Sequence, residues 1–475
     1  MLSEHPVSVT VLGAGPAGLG AAYALAQRGI NVVVLEQLER VGGNAGSFEL
    51  AGTRVDFGSH RFHPAADAAV LAIVRGLLGD DLLERPRHGR IRLMGRWLHF
   101  PLKAQNLLFN APPRFAFGVA KDLLSKALPE GETVEETFET ILRRGLGSTI
   151  CEAFYFPYAR KIWGMEPADL SPVQAYKRVS SSSITKLLKR LMPFGSGVRG
   201  AKTKRIFYYP RDGFGQISEA LGEAAARSGA DIRLGAKVTR VVLGSDGHRL
   251  EYSFEGDRHT LDTKHIWSTI PITTLTRLAE PAAPGPVVAA ARSLRFRGMV
   301  LIYLVLDMPQ FTPFDAHYLP GADIRITRLS EPANYSARTN PKNTTVLCAE
   351  LPCQAGDGTW ELDDEALGQL VLKDLAQAGI PVECKVNEVL VKRLPQAYPL
   401  YPAGFENAFD LLDNWAKGLR NVLTFGRQGL YAHDNTHHAL YMAFAAASCL
   451  GNDGFFDQSR WALAREVFAS HVVED

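Results

Sequence analysis

A glycine-punctuated turn near the N-terminus constrains this chain more than any other stretch. Val7 to Leu12 reads as a buried strand, Gly13-Ala14-Gly15-Pro16-Ala17-Gly18 follows at once, a helix is expected to about Arg28, and a second strand covers Asn31 to Glu36. In such a strand-helix-strand unit Gly13 permits the tight turn, Gly15 lets a pyrophosphate approach the backbone with no Cβ in the way, and Gly18 lets the helix close on the sheet. The free N–H groups and the positive dipole end of the helix then face the phosphates. Glu36 ends the second strand where a carboxylate accepts hydrogen bonds from an adenosine ribose. Strand, helix and acid agree, so a dinucleotide site is expected here rather than a bare turn.

A second glycine-rich segment, Leu38-Glu39-Arg40-Val41-Gly42-Gly43-Asn44-Ala45-Gly46-Ser47-Phe48, follows directly, and then Val55-Asp56-Phe57-Gly58-Ser59-His60-Arg61-Phe62-His63. With these segments the chain resembles the flavoprotein superfamily of amine oxidases, protoporphyrinogen oxidases and UDP-galactopyranose mutases. The resemblance implies FAD as the cofactor, with Gly42, Gly43 and Asn44 continuing its binding site. It also implies an α/β fold: a Rossmann-like FAD-binding domain of the GR2 type, interleaved with a substrate domain of mixed β-sheet and a helical insertion. The expected division is 1–104, 205–290 and 394–475 for the FAD-binding domain, 105–204 for the helical cap and 291–393 for the substrate sheet. The stretch from Phe57 to His63 is most similar to the Gly-Pro-His-x-Phe-His segment of the mutases and their oxidoreductase relatives. This puts His60 at the flavin as a cofactor contact and candidate catalytic group, and Arg61 toward the substrate.

Composition narrows the rest. At 475 residues the chain is long for a single core, so two connected domains are expected. A net charge of +2 gives no whole-chain case for binding nucleic acid. Five cysteines, an odd number and widely spread, do not make a disulfide framework and read as buried thiols in a reducing compartment. Met1 to Pro6 contains Glu4 and no basic region, unlike a signal peptide, and the apolar runs Met299 to Leu306 and Leu440 to Leu450 are short of the roughly 20 residues that span a bilayer. A cytoplasmic enzyme is the expectation.

Along the chain, a helix is expected at 64–83, a hairpin from Arg90 to Phe100 around Met94-Gly95, and then Pro101-Leu102-Lys103. Helices are expected at 105–127, 132–145, 148–160 and 172–191. Within them Tyr158, Lys161 and Trp163 match a Tyr-x-x-Lys-x-Trp-Gly segment of the relatives. An aromatic plane beside a cation suits a ring-bearing anionic substrate, while the alternative is a packed Trp163 and a solvated Lys161.

Between Asp169 and Asp212 there is no acid, but ten basic residues from Lys177 to Arg211. Such a run focuses a positive field that suits a diphosphate, an acidic substrate or peripheral contact with an anionic membrane; a solvated flap is the alternative.

The stretch from Tyr208 to Gln216 resembles the superfamily's Tyr-Pro-x-x-Gly-x-Gly segment, with Arg211 a candidate substrate contact, opening a helix at 216–228. The resemblance places Val238 at the adenine through its backbone. The region 291–385 reads as β-rich with alternating apolar and polar residues, with strands Gly298 to Leu306, Ile324 to Leu329, Thr345 to Leu351 and Glu388 to Arg393, and one helix at 363–378. Arg393 and the Tyr398-Pro399-Leu400-Tyr401 cluster resemble a segment leading from the substrate sheet back to the flavin. Arg393 is thus a candidate substrate contact, and Tyr398 and Tyr401 are candidate catalytic or orienting groups, or interdomain packing.

Finally Gly426, Arg427, Gly429, Asn435 and His438 match the Gly-Arg-x-Gly and Tyr-Asn-Asn-x-Asp-His-Ser patterns of the oxidoreductase members. Gly426, Arg427, Asn435 and His438 are accordingly assigned to FAD, with Asn435 as N-cap of a helix from about Thr436 to Leu450 whose dipole faces the flavin. His433, Asp434 and His437 depart from the pattern. Adjacent histidines on a helix point about 100° apart, so no metal site is expected.

The leading functional expectation is an FAD-dependent dehydrogenase or oxidase that takes a hydride from a small-molecule biosynthetic intermediate onto flavin N5. The alternative is a non-redox isomerase of the galactopyranose mutase type, using reduced FAD on a nucleotide sugar. A flavin-retaining scaffold is a third class.

Overall fold

The computed structural model describes residues 7–100, 112–125, 135–178, 206–338 and 341–473. The Pro101-Leu102-Lys103 segment, parts of the helices expected at 105–127, 132–145 and 172–191, and the basic residues from Lys186 to Arg205 lie outside them.

Val, Leu and Ile dominate five short strands that form one parallel sheet in the order Val422–Thr424, His265–Ser268, Ser8–Leu12, Asn31–Glu36, Asp231–Leu234. Strands buried on both faces read as continuous apolar runs, and the first two of the chain do. The helix Pro16–Ala26 packs between Gln216–Arg227 and Thr436–Cys449. Small residues make this closeness workable: a Cβ on Gly20 would stand 3.0 Å from Leu440 and 3.1 Å from Ala443.

The second sheet has seven strands, ordered Val386–Pro399, Phe296–Leu306, Thr345–Cys353, Arg328–Ser330, Ala316–Tyr318, Gly89–Leu93, Arg96–Phe100. It is mixed because Ala316–Tyr318 runs parallel to Gly89–Leu93 while the other pairs are antiparallel. The strand Phe296–Leu306, next to one edge, differs from the alternating pattern expected. Val300, Ile302, Leu304 and Leu306 pack under the helix Asp364–Gln377, and Met299, Leu301, Tyr303 and Val305 pack against Leu50, Val55 and Phe57 on the other face. Each fully buried side chain of this kind contributes about 1.5–3 kcal/mol.

Three boundaries also differ. The hairpin Gly89–Phe100, grouped by sequence with the FAD-binding segments, is the edge of the seven-stranded sheet, because Ile91, Leu93 and Leu98 find their core with Phe138, Leu142 and Leu146. The helix expected at 64–83 is confined to Ala68–Leu78 between an Asp67 cap and Gly79, whose φ of 54° ends it. Leu82–Pro86 then forms a strand against Ile206–Pro210. The last strand of the sheet runs on to Pro399, so Arg393 and Tyr398 sit within it rather than on a connection.

Candidate active site and cofactor cradle

The two glycine segments meet face to face. Gly13 has φ +99°, and a Cβ on Gly18 would lie 1.9 Å from the Gly13 carbonyl oxygen, so the turn and the helix start touch backbone to backbone. Gly42 N–H donates to Ala14 O at 2.8 Å, and a Cβ on Gly43 would face Gly15 Cα at 3.7 Å. Nothing lies within 4 Å of where a Gly15 Cβ would be. Arg40 holds the second segment: it donates to Gly43 O at 2.8 Å, and its guanidinium lies 3.8 Å over the Phe57 ring.

Buried Glu36 accepts from Ala14 N at 2.8 Å and Leu38 N at 2.9 Å, and each carboxylate oxygen keeps further acceptor capacity for a ribose. Pro16 opens the helix, and a Cβ on Gly426 (φ +77°) would stand 2.7 Å from Ala17 Cβ, bringing the last cofactor segment against the first. Val238 is half-buried at an irregularity of the strand Lys237–Val242. This backbone-lined space at a helix N-terminus fits the pyrophosphate of a dinucleotide.

His60 stands at the far end of the cradle. Its Nε2 lies 2.9 Å from Asn44 O and 3.0 Å from Phe57 O. Both partners are acceptors, so Nε2 carries the proton and Nδ1 the lone pair. Burial lowers its pKa, with Asp56 pulling partly the other way. Around it the tertiary structure assembles a group that no motif announced. Arg328 is 2.7 Å from Glu350 and donates to Ser59 O at 3.1 Å, while Glu350 also accepts from Ser59 N at 2.9 Å. Burial opposes the Arg328 charge, but Glu350 and the nearby Tyr318, Tyr398 and Tyr158 outweigh it, and its pKa is raised well above the usual value. Arg61 donates to Tyr318 Oη at 3.1 Å and lies 3.3 Å from Asp315. Tyr398 packs under the Arg427 guanidinium at 4.9 Å and edge-on to Trp163 at 5.5 Å. His60, Tyr398, Tyr158 and Arg61 are thus brought together with Arg328, Glu350 and Tyr318.

Other expected site residues are engaged in holding the fold. The Tyr401 hydroxyl donates to Tyr431 O at 2.7 Å, and its ring stacks on Phe405 at 4.0 Å. Burial raises its pKa, and these contacts favour the interdomain-packing alternative for Tyr401. Lys161 is not the solvated lysine of the alternative: its ammonium donates to Leu319 O, Gly321 O and Ile326 O, and burial lowers its pKa to about 7. Lys161→Met is expected to lower stability by about 1–3 kcal/mol through the orphaned carbonyls, read as a drop in Tm with flavin content unchanged. An unchanged Tm would return Lys161 to the substrate.

Arg393 donates to Trp360 O at 2.9 Å and Leu362 O at 2.5 Å, fixing the entry to the helix Asp364–Gln377. Half-exposed Arg211 pairs with Asp81 at 2.7 Å. Trp163 is buried with Phe156 and Leu170 in the helical core. Arg427 spans Asp434 O and Ala397 O at 3.2 and 2.8 Å, and His438 Nδ1 accepts from Asn435 N at 3.2 Å, capping its own helix.

Arg328 was invisible in sequence because it sits on a three-residue strand with no motif. Glu350 carried a signal: it is the one acid in Thr345–Cys353, a strand whose nine residues are all buried, and a buried carboxylate demands a partner.

The model of the flavin containing amine oxidoreductase family matches residues 16–447. The chain belongs to that family. Over 458 residues it is 24% identical to protoporphyrinogen oxidase 1 of Spinacia oleracea, covering 90% of this chain and 79% of that one. In fold it is similar to reduced UDP-galactopyranose mutase, with TM-score 0.80, 18% identity and coverage of 99% and 100% of the two chains. It is also similar to cyclohexylamine oxidase from Brevibacterium oxydans, with TM-score 0.64, 18% identity and coverage of 98% and 100%. As a flavin amine oxidoreductase the chain is an FAD-dependent enzyme of α/β fold, and the Gly13–Gly18 and Gly42–Asn44 cradle is where its residues fit FAD. Among the described residues no helix is long and apolar enough to cross a membrane.

Proposed function

We propose that this flavin amine oxidoreductase is a dehydrogenase or oxidase whose substrate is an uncharged small molecule. The carrying observation is that the two half-buried arginines beside His60 already have carboxylate partners, Arg328 with Glu350 at 2.7 Å and Arg61 with Asp315 at 3.3 Å. Those four charges sum to zero, and Arg427, the further cation beside Tyr398, is engaged with Asp434 O and Ala397 O, so this face offers a nucleotide diphosphate little surplus of positive charge. The non-redox mutase reading, which needs such a grip, is correspondingly weakened.

Bound FAD supplies the two-electron acceptor. The chain's own residues supply the rest. Neutral His60, its Nε2–H held by two carbonyls, presents Nδ1 as an acceptor for the substrate's proton. Tyr158, Tyr318 and Tyr398, grouped around Arg328, orient the substrate, and the Arg328–Glu350 pair fixes Ser59 and with it His60.

The test is anaerobic: the visible flavin band is followed as candidate alcohols and cyclic hydrocarbons are added, with amines, cationic at neutral pH, as the charged comparison. Bleaching by substrate alone is expected, and His60→Gln, which keeps the Nε donor, should slow it about 100-fold with flavin content unchanged. Turnover of a nucleotide sugar only after chemical reduction of the flavin, with no bleaching by any uncharged substrate, would overturn the proposal.

A further inference from the structure

We propose that Asp434, His438 and His471 form a binding site for one divalent transition-metal cation of the zinc type, which latches the C-terminal tail to the start of the helix Thr436–Cys449. The three side chains come from distant places. Asp434 and His438 flank the helix N-cap one turn apart, and His471 lies just past the end of the helix Gln458–Ala469. Asp434 Oδ1 stands 3.5 Å from His438 Nδ1 and 3.6 Å from His471 Nδ1, and one ligand atom from each residue falls within 4.8 Å of the others. Ligands about 2.0–2.2 Å from a tetrahedral zinc are about 3.3–3.5 Å apart, so two of the edges already have nearly the required length.

The second observation is the state of the carboxylate. Asp434 is 4% exposed, and neither of its oxygens has a hydrogen-bond partner among the described residues. The same holds for Nδ1 of His471. A buried carboxylate without hydrogen bonds is costly, and a cation at the point where the three side chains converge removes that cost.

Three features oppose a cation and set the size of the effect. The lone pair of His438 Nδ1 accepts from Asn435 N at 3.2 Å, so ligation has to take it from that helix cap. Lys177 faces Asp434 while donating to Phe468 O and Ala469 O at 3.2 and 3.0 Å. The His438 and His471 rings are stacked 4.2 Å apart with 13° between their planes, so ligation requires them to splay. The expectation of no metal rested on His437 and His438 with His60 and His63; the ligand that changes it, His471, is remote in sequence and is delivered by the packing of the last helix.

The experiment takes the flavin-loaded full chain, strips metal with EDTA, removes the chelator and titrates with zinc chloride by calorimetry, with metal content measured after dialysis. One zinc per chain and a rise in Tm are expected, with affinity at least about tenfold weaker in His471→Ala and in Asp434→Asn. His471→Gln keeps the tail packed if the alanine variant is unstable. The flavin band serves as the control for folding. Binding below one equivalent, or affinity unchanged in the His471 and Asp434 variants, would overturn the site.

Discussion

Gly15→Val is expected to give a folded chain that purifies without its yellow colour, whereas Gly18→Val is expected not to fold at all. The two glycines look equivalent in the motif, but their surroundings differ. Gly15 has φ −74° and ψ 178°, extended values open to any residue, and its missing Cβ faces empty space in the protein. Nothing in the fold requires glycine there, so the requirement comes from the pyrophosphate that must approach the backbone. Gly18 is the reverse case: its Cβ would overlap the Gly13 carbonyl oxygen at 1.9 Å, and neither backbone can retreat without parting the helix from the sheet. Overpacking alone costs about 1–3 kcal/mol, and a backbone clash in the central layer costs more. Circular dichroism and the visible spectrum separate the outcomes. A folded, flavin-loaded Gly15→Val protein would remove the cradle from the cofactor site, and a stable Gly18→Val protein would remove the close contact on which the domain is built.

Stability is expected to fall steeply on acidification below pH 6.5. Burial lowers the pKa of His265 to about 4 and that of His317 to about 3, with neighbouring cations adding to the effect, and both side chains are buried. In the unfolded chain these histidines bind protons below their ordinary value of 6.5, while in the folded chain they stay neutral. The unfolded state therefore holds more protons, and stability rises with pH through this window and is lost as pH falls. Each contributes at most about 1.4 kcal/mol per pH unit, so together they can remove about 5 kcal/mol between pH 6.5 and 4.5. That is comparable with the whole stability of a typical domain.

Asp56 acts the other way. Burial raises its pKa despite hydrogen bonds from Ser47, Tyr209 and the Phe214 amide, so its folded state favours the proton and its contribution is lost as pH rises. Glu331, whose pKa burial also raises, adds to this, while His437 and His438, lowered by burial, add to the histidine side, so the sign stands. Tm measured from pH 7.5 to 4.5 tests this directly. A flat profile would show that these histidines take up protons within the fold, and His317→Gln should flatten it by that histidine's share.

The first strand-helix-strand unit was legible because its requirements are local. A tight turn, a close helix and a strand-terminal acid are all written within Gly13 to Glu36, and the second glycine pair adds the flavin-family signature. The strand Asn31–Glu36 and the helix Asp364–Gln377 fall within a residue of their expected bounds for the same reason: apolar period and caps lie in the segment itself.

The candidate catalytic face was only half legible. His60 and Tyr398 lie in recognisable segments, but Arg328 and Glu350 acquire meaning only when Arg328–Ser330 pairs with Thr345–Cys353 and sets Arg328 opposite Glu350. Lys161, Arg393 and Tyr401 matched family segments equally well, yet their polar atoms are taken by backbone carbonyls that the sequence places far away.

By itself, then, the sequence determined the fold class, which follows from apolar period and turns within each segment, and, through the family its motifs resemble, the cofactor. Only the tertiary structure decided which charged and aromatic side chains face a substrate and which satisfy buried carbonyls. That choice is made by hydrogen-bond partners and counter-charges brought together from opposite ends of the chain.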